Sequence, residues 1–151
     1  MLMLRLLPLV APAAVFWAER ESRRGLRSGR PLSAQEMAQA RAVGVAHPER
    51  IRLNYVPHMP FPGTWLGYRL ARLLGAPGPQ TVGLTLGYSL YIIAEHMNPR
   101  LLAHECRHVY QFEQAGSLAV FIPEYLRQVF RHGYFQSPLE VDARLHEREG
   151  D

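Results

Sequence analysis

The spacing of apolar and polar residues changes character along the chain, and the changes predict its elements. Residues 1–18 (MLMLRLLPLVAPAAVFWA) form an apolar run broken only by the charge of Arg5. That run falls short of the ~20 residues a spanning helix needs, and Pro8 and Pro12 argue against an uninterrupted helix through it. Two readings stay open here. One is a signal or membrane-associating segment, in keeping with the Ala-Pro-Ala step; the other is an ordinary N-terminal helix packed on the domain. An Arg-rich stretch follows, with Arg20, Arg23, Arg24, Arg27 and Arg30.

From Pro31 onward the pattern is that of a folded domain. Ser33 followed three residues later by Glu36 is a capping box, predicting a helix through Ala42 that Gly44 closes. Ile51, Leu53 and Tyr55 then alternate with Arg52 and Asn54, the period of a half-buried strand, within Arg50 to Pro57. His58 to Gly63 (HMPFPG) reads as loop. Trp65 to Leu74 has helical spacing, ended by Gly75, Pro77, Gly78 and Pro79. Val82 to Ala94 (VGLTLGYSLYIIA) is rich in β-branched, aromatic and glycine residues and predicts a strand or hairpin.

Three helices complete the pattern. The first runs from Arg100 to Gln114, with Pro99 at its start and Gly116 past its end; the second spans Leu118 to His132, closed by Gly133. Ser137 as N-cap and Pro138 in the first turn begin the third. Strands followed by helices, without alternation, indicate an α+β fold: a short sheet packed on the 100–114 helix, with two further C-terminal helices, and no parallel α/β winding. At 151 residues the chain suits one domain, 31–151, preceded by the hydrophobic and Arg-rich segment 1–30.

Composition narrows the picture in three ways. With 48% apolar and 20% charged residues the chain is neither disordered nor a multi-span membrane protein. All 17 basic residues are arginine, and although the 20–30 cluster suits phosphates, no aromatics interleave to stack bases, so a solvated helix face is expected and no nucleic-acid partner. Cys106 stands alone, so no internal disulfide holds the fold. Localisation stays open.

The 100–114 helix carries His104, Glu105, Cys106, Arg107 and His108, the pattern His-Glu-x-x-His. Histidines four apart lie one turn apart on one face, where both can bind a single tetrahedral zinc ion. Glu105 projects about 100° round, placed to take a proton from a water that the metal acidifies. The flanks Leu101, Leu102, Ala103, Val109, Tyr110 and Phe112 predict burial, and buried imidazoles and a carboxylate are costly unless something satisfies them. Zinc needs a third protein ligand, and no third histidine follows closely. Glu140, in the first turn of the last helix, is best placed. Asp142 is the rival, lying about 200° away from it, so the two cannot share one ion from regular helix.

With that helix and a later Glu, the chain resembles the gluzincins, the zinc-peptidase class that includes thermolysin. More narrowly, LLAHECRHVYQFEQAG with SPLEVDAR is similar to small bacterial zincin-like proteins with His-Glu-x-x-His, a nearby Gln and a later Pro-x-Glu-x-x-Ala. The resemblance covers roughly Ile51 to Arg144. It implies His104, His108 and Glu140 as zinc ligands, Glu105 as general base, and a sheet edge that holds an extended peptide or protein substrate. Thermolysin-like enzymes have an Asp four residues after the ligand Glu to orient the first histidine; here that position is Arg144, so support must come from Asp142 or a backbone carbonyl. Tyr134 and His132 are candidate oxyanion or substrate contacts, and Tyr88 and Tyr91 candidates for the substrate edge. Gln111 is expected to bond locally, and Arg107 to form an outward salt bridge. The expected function is a zinc-dependent metallopeptidase, with a non-catalytic zinc-stabilised or membrane-associated regulatory domain as the alternative.

Overall fold

The computed structural model describes residues 2–62 and 81–150; the helix expected over Trp65 to Leu74 lies outside them. Among the described residues, five helices and a four-stranded sheet form the fold. Helix α1 (Leu2–Ser28) leads to β1 (Arg30–Pro31) and α2 (Ala34–Ala42), then β2 (Arg52–Tyr55). A hairpin of β3 (Gly83–Leu86) and β4 (Ser89–Ile92) precedes α3 (Pro99–Ala115), α4 (Leu118–His132) and α5 (Pro138–Leu145). A 3₁₀ turn, His146–Gly150, follows directly. The Ser33 capping box forms as expected, Ser33 Oγ accepting from the Glu36 amide and the Glu36 carboxylate accepting from the Ser33 amide.

The sheet runs β1-β2-β4-β3. β2 pairs parallel with β4, setting Leu53 beside Leu90, while β3 and β4 are antiparallel. One parallel pair thus arises in a fold without α/β winding, because the chain leaving β2 returns through the far edge strand, β3, before entering β4. Period-two alternation sorts the side chains. Leu53, Leu90 and Ile92 pack with Leu102, Ala103, Cys106 and Val109 of α3, each such buried aliphatic being worth ~1.5–3 kcal/mol. Leu86 and Tyr91 face the other way, toward Ala18 of α1 and Phe121 of α4.

That second face is covered by α1, whose helix is continuous across Pro8 and Pro12. The prolines remove backbone donors without ending it, since packing along α4 and the sheet holds the helix where propensity alone would not. Gly25 permits the close approach: a Cβ there would lie 2.6 Å from Tyr91 Oη and 2.8 Å from Ser89 Oγ. Polar residues finish the seam. Ser22 donates to the Leu86 carbonyl at 2.8 Å, Ser89 to the Ser22 carbonyl at 2.7 Å, and Tyr91 to the Glu21 carbonyl at 2.8 Å. Tyr91 is therefore a strut between sheet and α1, and Tyr88 donates to Glu113 at 3.0 Å on the opposite face. Neither residue sits on the outer strand of the sheet, β3; both serve packing between elements, the alternative to a place at a substrate edge.

Candidate metal centre

His104 and His108 project from one face of α3 with their Nε2 atoms 3.2 Å apart. Gly116, with φ of 91°, takes the left-handed turn that ends α3, and Ser117 caps α4, so the chain doubles back. The loop after Gly133 then reaches Ser137. Its hydroxyl, expected to cap α5, makes no such bond and is buried without a partner. Gln128 of α4 replaces it, its carbonyl accepting the Leu139 amide at 3.1 Å, while Gln111 of α3 donates to the Leu139 carbonyl at 2.9 Å. Gripped on both sides at Leu139, α5 aims the next residue, Glu140, at the histidine pair.

Glu140 Oε2 lies 3.3 Å from His104 Nε2, and Oε1 lies 3.3 Å from His108 Nε2. Tyr125 donates to Oε1 at 2.6 Å. Oε2 is buried, and among the described residues its near partner is the His104 ring at 3.3 Å, so it is left short of partners unless a proton or a metal cation stands between them. One ligand atom from each of the three residues falls within a common span of 4.8 Å. Two imidazoles and a carboxylate, drawn together in a buried site, match the donor set of a zinc site that leaves a fourth position open.

The outer nitrogens of both rings are held. His104 Nδ1 pairs with Glu147 Oε1 at 2.9 Å, and His108 Nδ1 with Gln111 Oε1 at 2.8 Å. Such partners fix the tautomer and aim Nε2 at the site. Asp142, one of the two alternatives for orienting the first histidine beside a backbone carbonyl, accepts from Arg107 Nε at 2.8 Å and from Gln111 Nε2 at 2.8 Å. It steadies the His108 side through Gln111. Glu147 takes the orienting role on the His104 side because the 3₁₀ turn folds the C-terminal residues back over α3. Arg107 is half-buried, also donating to the Val43 carbonyl at 2.7 Å.

Glu105 is buried on the adjoining face of α3, against β3. Thr85 Oγ1 donates to its Oε2 at 2.6 Å, and Gly83 leaves the room its other oxygen occupies, since a Cβ there would stand 2.4 Å from Oε1. His104, His108, Glu140 and Glu105 open onto a cavity of about 260 Å³ whose walls include Trp17, Leu84, Phe121, Tyr125 and Tyr134. Tyr134 reaches the cavity wall; His132 is exposed at the end of α4 and does not line it. Burial, and after it the charges of Glu140 and Glu105, push the Tyr134 phenol well above its usual range, so it stays a proton donor.

No family model, curated protein or solved structure matches the chain. Its chemistry therefore rests on this geometry. Thr85, Tyr125, Gln128 and Glu147 carry no signal in the sequence that marks them for the site. Their approach depends on how β3, α4 and the terminal turn fold back on α3.

Without metal, the site holds a proton. Burial lowers the basicity of His104, yet its bond to Glu140, together with the charge of Glu105, overrides this and raises its pKa to about 9. Glu140 is opposed by burial but driven well below the carboxylate range by the two histidines. A histidine raised from its ordinary value of 6.5 contributes stability that is full below pH 6.5 and lost as pH rises through about 9. Metal requires the neutral ring, so zinc must displace this proton. Calorimetric titration with zinc near pH 7, in buffers of different ionisation enthalpy, should therefore show proton release that shrinks as pH approaches 9. Release independent of pH across that window would mean that the metal does not bind at His104.

Proposed function

We propose that the chain is a zinc-dependent hydrolase of peptide bonds. The carrying observation is the convergence of Glu140 on His104 and His108 beside a buried, clamped Glu105 that is not itself among the three ligands. A site that used metal only for folding would have no need of that carboxylate at the mouth of a cavity.

His104, His108 and Glu140 would hold the ion, which when bound acidifies water and polarises a carbonyl. The chain's own groups supply the rest. Thr85 holds one Glu105 oxygen at 2.6 Å, keeping the carboxylate facing the cavity as general base. Glu105 takes the proton of the attacking water and delivers it to the leaving amine. Tyr134, kept protonated, is placed to donate to the developing oxyanion. The outer edge of β3, Gly83 to Leu86, with which no strand pairs among the described residues, would offer backbone groups to an extended peptide. Apolar walls exclude water from the reaction.

The test is hydrolysis of an internally quenched peptide library by the zinc-loaded chain. Activity should vanish with a chelator and return with zinc; a zinc-replete chain that cleaves no member would count against the reading. A finer prediction concerns Thr85. Hydrogen bonds to charged groups are worth ~1.5–3 kcal/mol, so Thr85→Val should lower kcat about tenfold or more at unchanged zinc content. Unchanged kcat would show that Glu105 needs no clamp.

A further inference from the structure

Helix α1 carries a pattern that the metal centre does not use. Leu2, Leu6, Leu9, Ala13 and Phe16, spaced by three and four residues, form one exposed stripe. Leu2, Leu9 and Phe16 are 72%, 75% and 65% exposed. The stripe continues, on the same face, through Arg20, Arg23, Arg24 and Arg27, all exposed. Of these four, only Arg24 has a carboxylate partner among the described residues, Glu21 at 3.8 Å. Apart from the exposed Arg5, which lies between Leu2 and Leu9 on the same face, the face is thus apolar for about 22 Å and then cationic for the next two turns. A shallow depression lined by Pro8, Pro12, Phe16, Ala119 and Pro123 extends the apolar part onto α4, where Val120 is also exposed.

A contiguous apolar patch on water marks a surface that something covers. We propose that this face docks on a membrane, with Leu2 to Phe16 in the acyl boundary and the arginines on the phosphates of anionic lipids. Apolar area followed by arginine is the combination through which interfacial helices bind anionic bilayers. A second copy fits poorly. Parallel pairing of the stripes would set arginine against arginine, and antiparallel pairing would set arginine against leucine. By length and composition α1 is also long enough to cross a membrane. Yet its apolar stripe of about 22 Å is shorter than the ~30 Å hydrocarbon core, and its second half is tied to the sheet through Ser22, Gly25 and Glu21. The helix therefore lies on the leaflet. Its flanking face, with Val10, Ala14 and Trp17, walls the metal cavity, so docking sets that cavity beside lipid. The inference does not depend on zinc chemistry.

Sedimentation of the full chain with vesicles tests it, using phosphatidylcholine alone and phosphatidylcholine mixed with phosphatidylglycerol. The chain should bind the mixed vesicles more tightly, less so at high salt, and should be released by alkaline carbonate. Leu9→Ser combined with Phe16→Ser should remove binding to both. Arg23→Gln, Arg24→Gln and Arg27→Gln together should weaken binding to the anionic vesicles about fivefold per arginine. These side chains are exposed, so circular dichroism and the urea midpoint should match wild type and separate lost docking from lost fold. The inference is overturned by wild-type protein that stays in the supernatant, by variants that bind as wild type, by resistance to carbonate, or by a vesicle-free dimer that Leu9→Ser with Phe16→Ser disperses.

Discussion

Replacing Glu140 with alanine should strip the chain of stoichiometric zinc and of zinc-dependent stability. Its carboxylate is 2% exposed and stands 3.3 Å from each imidazole. Losing a group that merely hydrogen-bonds a metal ligand costs about 10–100-fold in affinity; losing a ligand costs at least as much. At a zinc concentration of 100 Kd the wild type gains about 2.7 kcal/mol from the ion, which in a domain of this size is roughly 5–10 °C in Tm. Glu140→Ala should lose most of that rise. Glu140→Gln separates charge from shape: it retains an acceptor for Tyr125 but loses the charge that holds the His104 proton, so it should melt below the metal-free wild type and respond weakly to zinc. Thermal melts with and without zinc read both variants. If zinc raises the Tm of Glu140→Ala as much as that of wild type, Glu140 is not a ligand.

Glu105→Gln should leave the zinc content intact and remove hydrolysis. General base catalysis contributes about 10²–10⁴-fold, and the amide has nearly the volume of the carboxylate. Its carbonyl can still accept from Thr85, so the β3–α3 contact survives. What it lacks is the capacity to take a proton from water and hand it on. The loss should therefore fall on kcat. Wild-type turnover by this variant, on any peptide the parent cleaves, would remove Glu105 from the mechanism.

Much of the fold is legible in the residues because local signals agree with tertiary demand. The helix from Leu118 to His132 is delimited by Ser117 and Gly133, and the Ser33–Glu36 box caps α2, both through chemistry within one turn. His104, Glu105 and His108 are legible for the same reason, since helical spacing alone sets them together. Glu140 is legible by elimination among later carboxylates. What escapes is long-range. α1 continues across Pro8 and Pro12 because α4 and the sheet hold it, and no local pattern states that. Ser137 has the identity of a cap but is displaced by Gln128 from another helix. Asp142, one candidate to support a histidine in place of Arg144, is drawn off by Arg107, leaving His104 to Glu147, whose approach depends on how the last turn folds back. The parallel pairing of β2 with β4 likewise follows from the order of strands in space.

Zinc bound per purified chain, with the coordination shell read by X-ray absorption, tests the central claim most directly. One ion per chain is expected, in a shell of nitrogen and oxygen at about 2.0–2.2 Å that contains two imidazoles and no sulfur. The ion should be lost from Glu140→Ala and retained by Glu105→Gln. A zinc-supplied chain that holds no stoichiometric metal, or a shell that includes the sulfur of Cys106, would contradict the account.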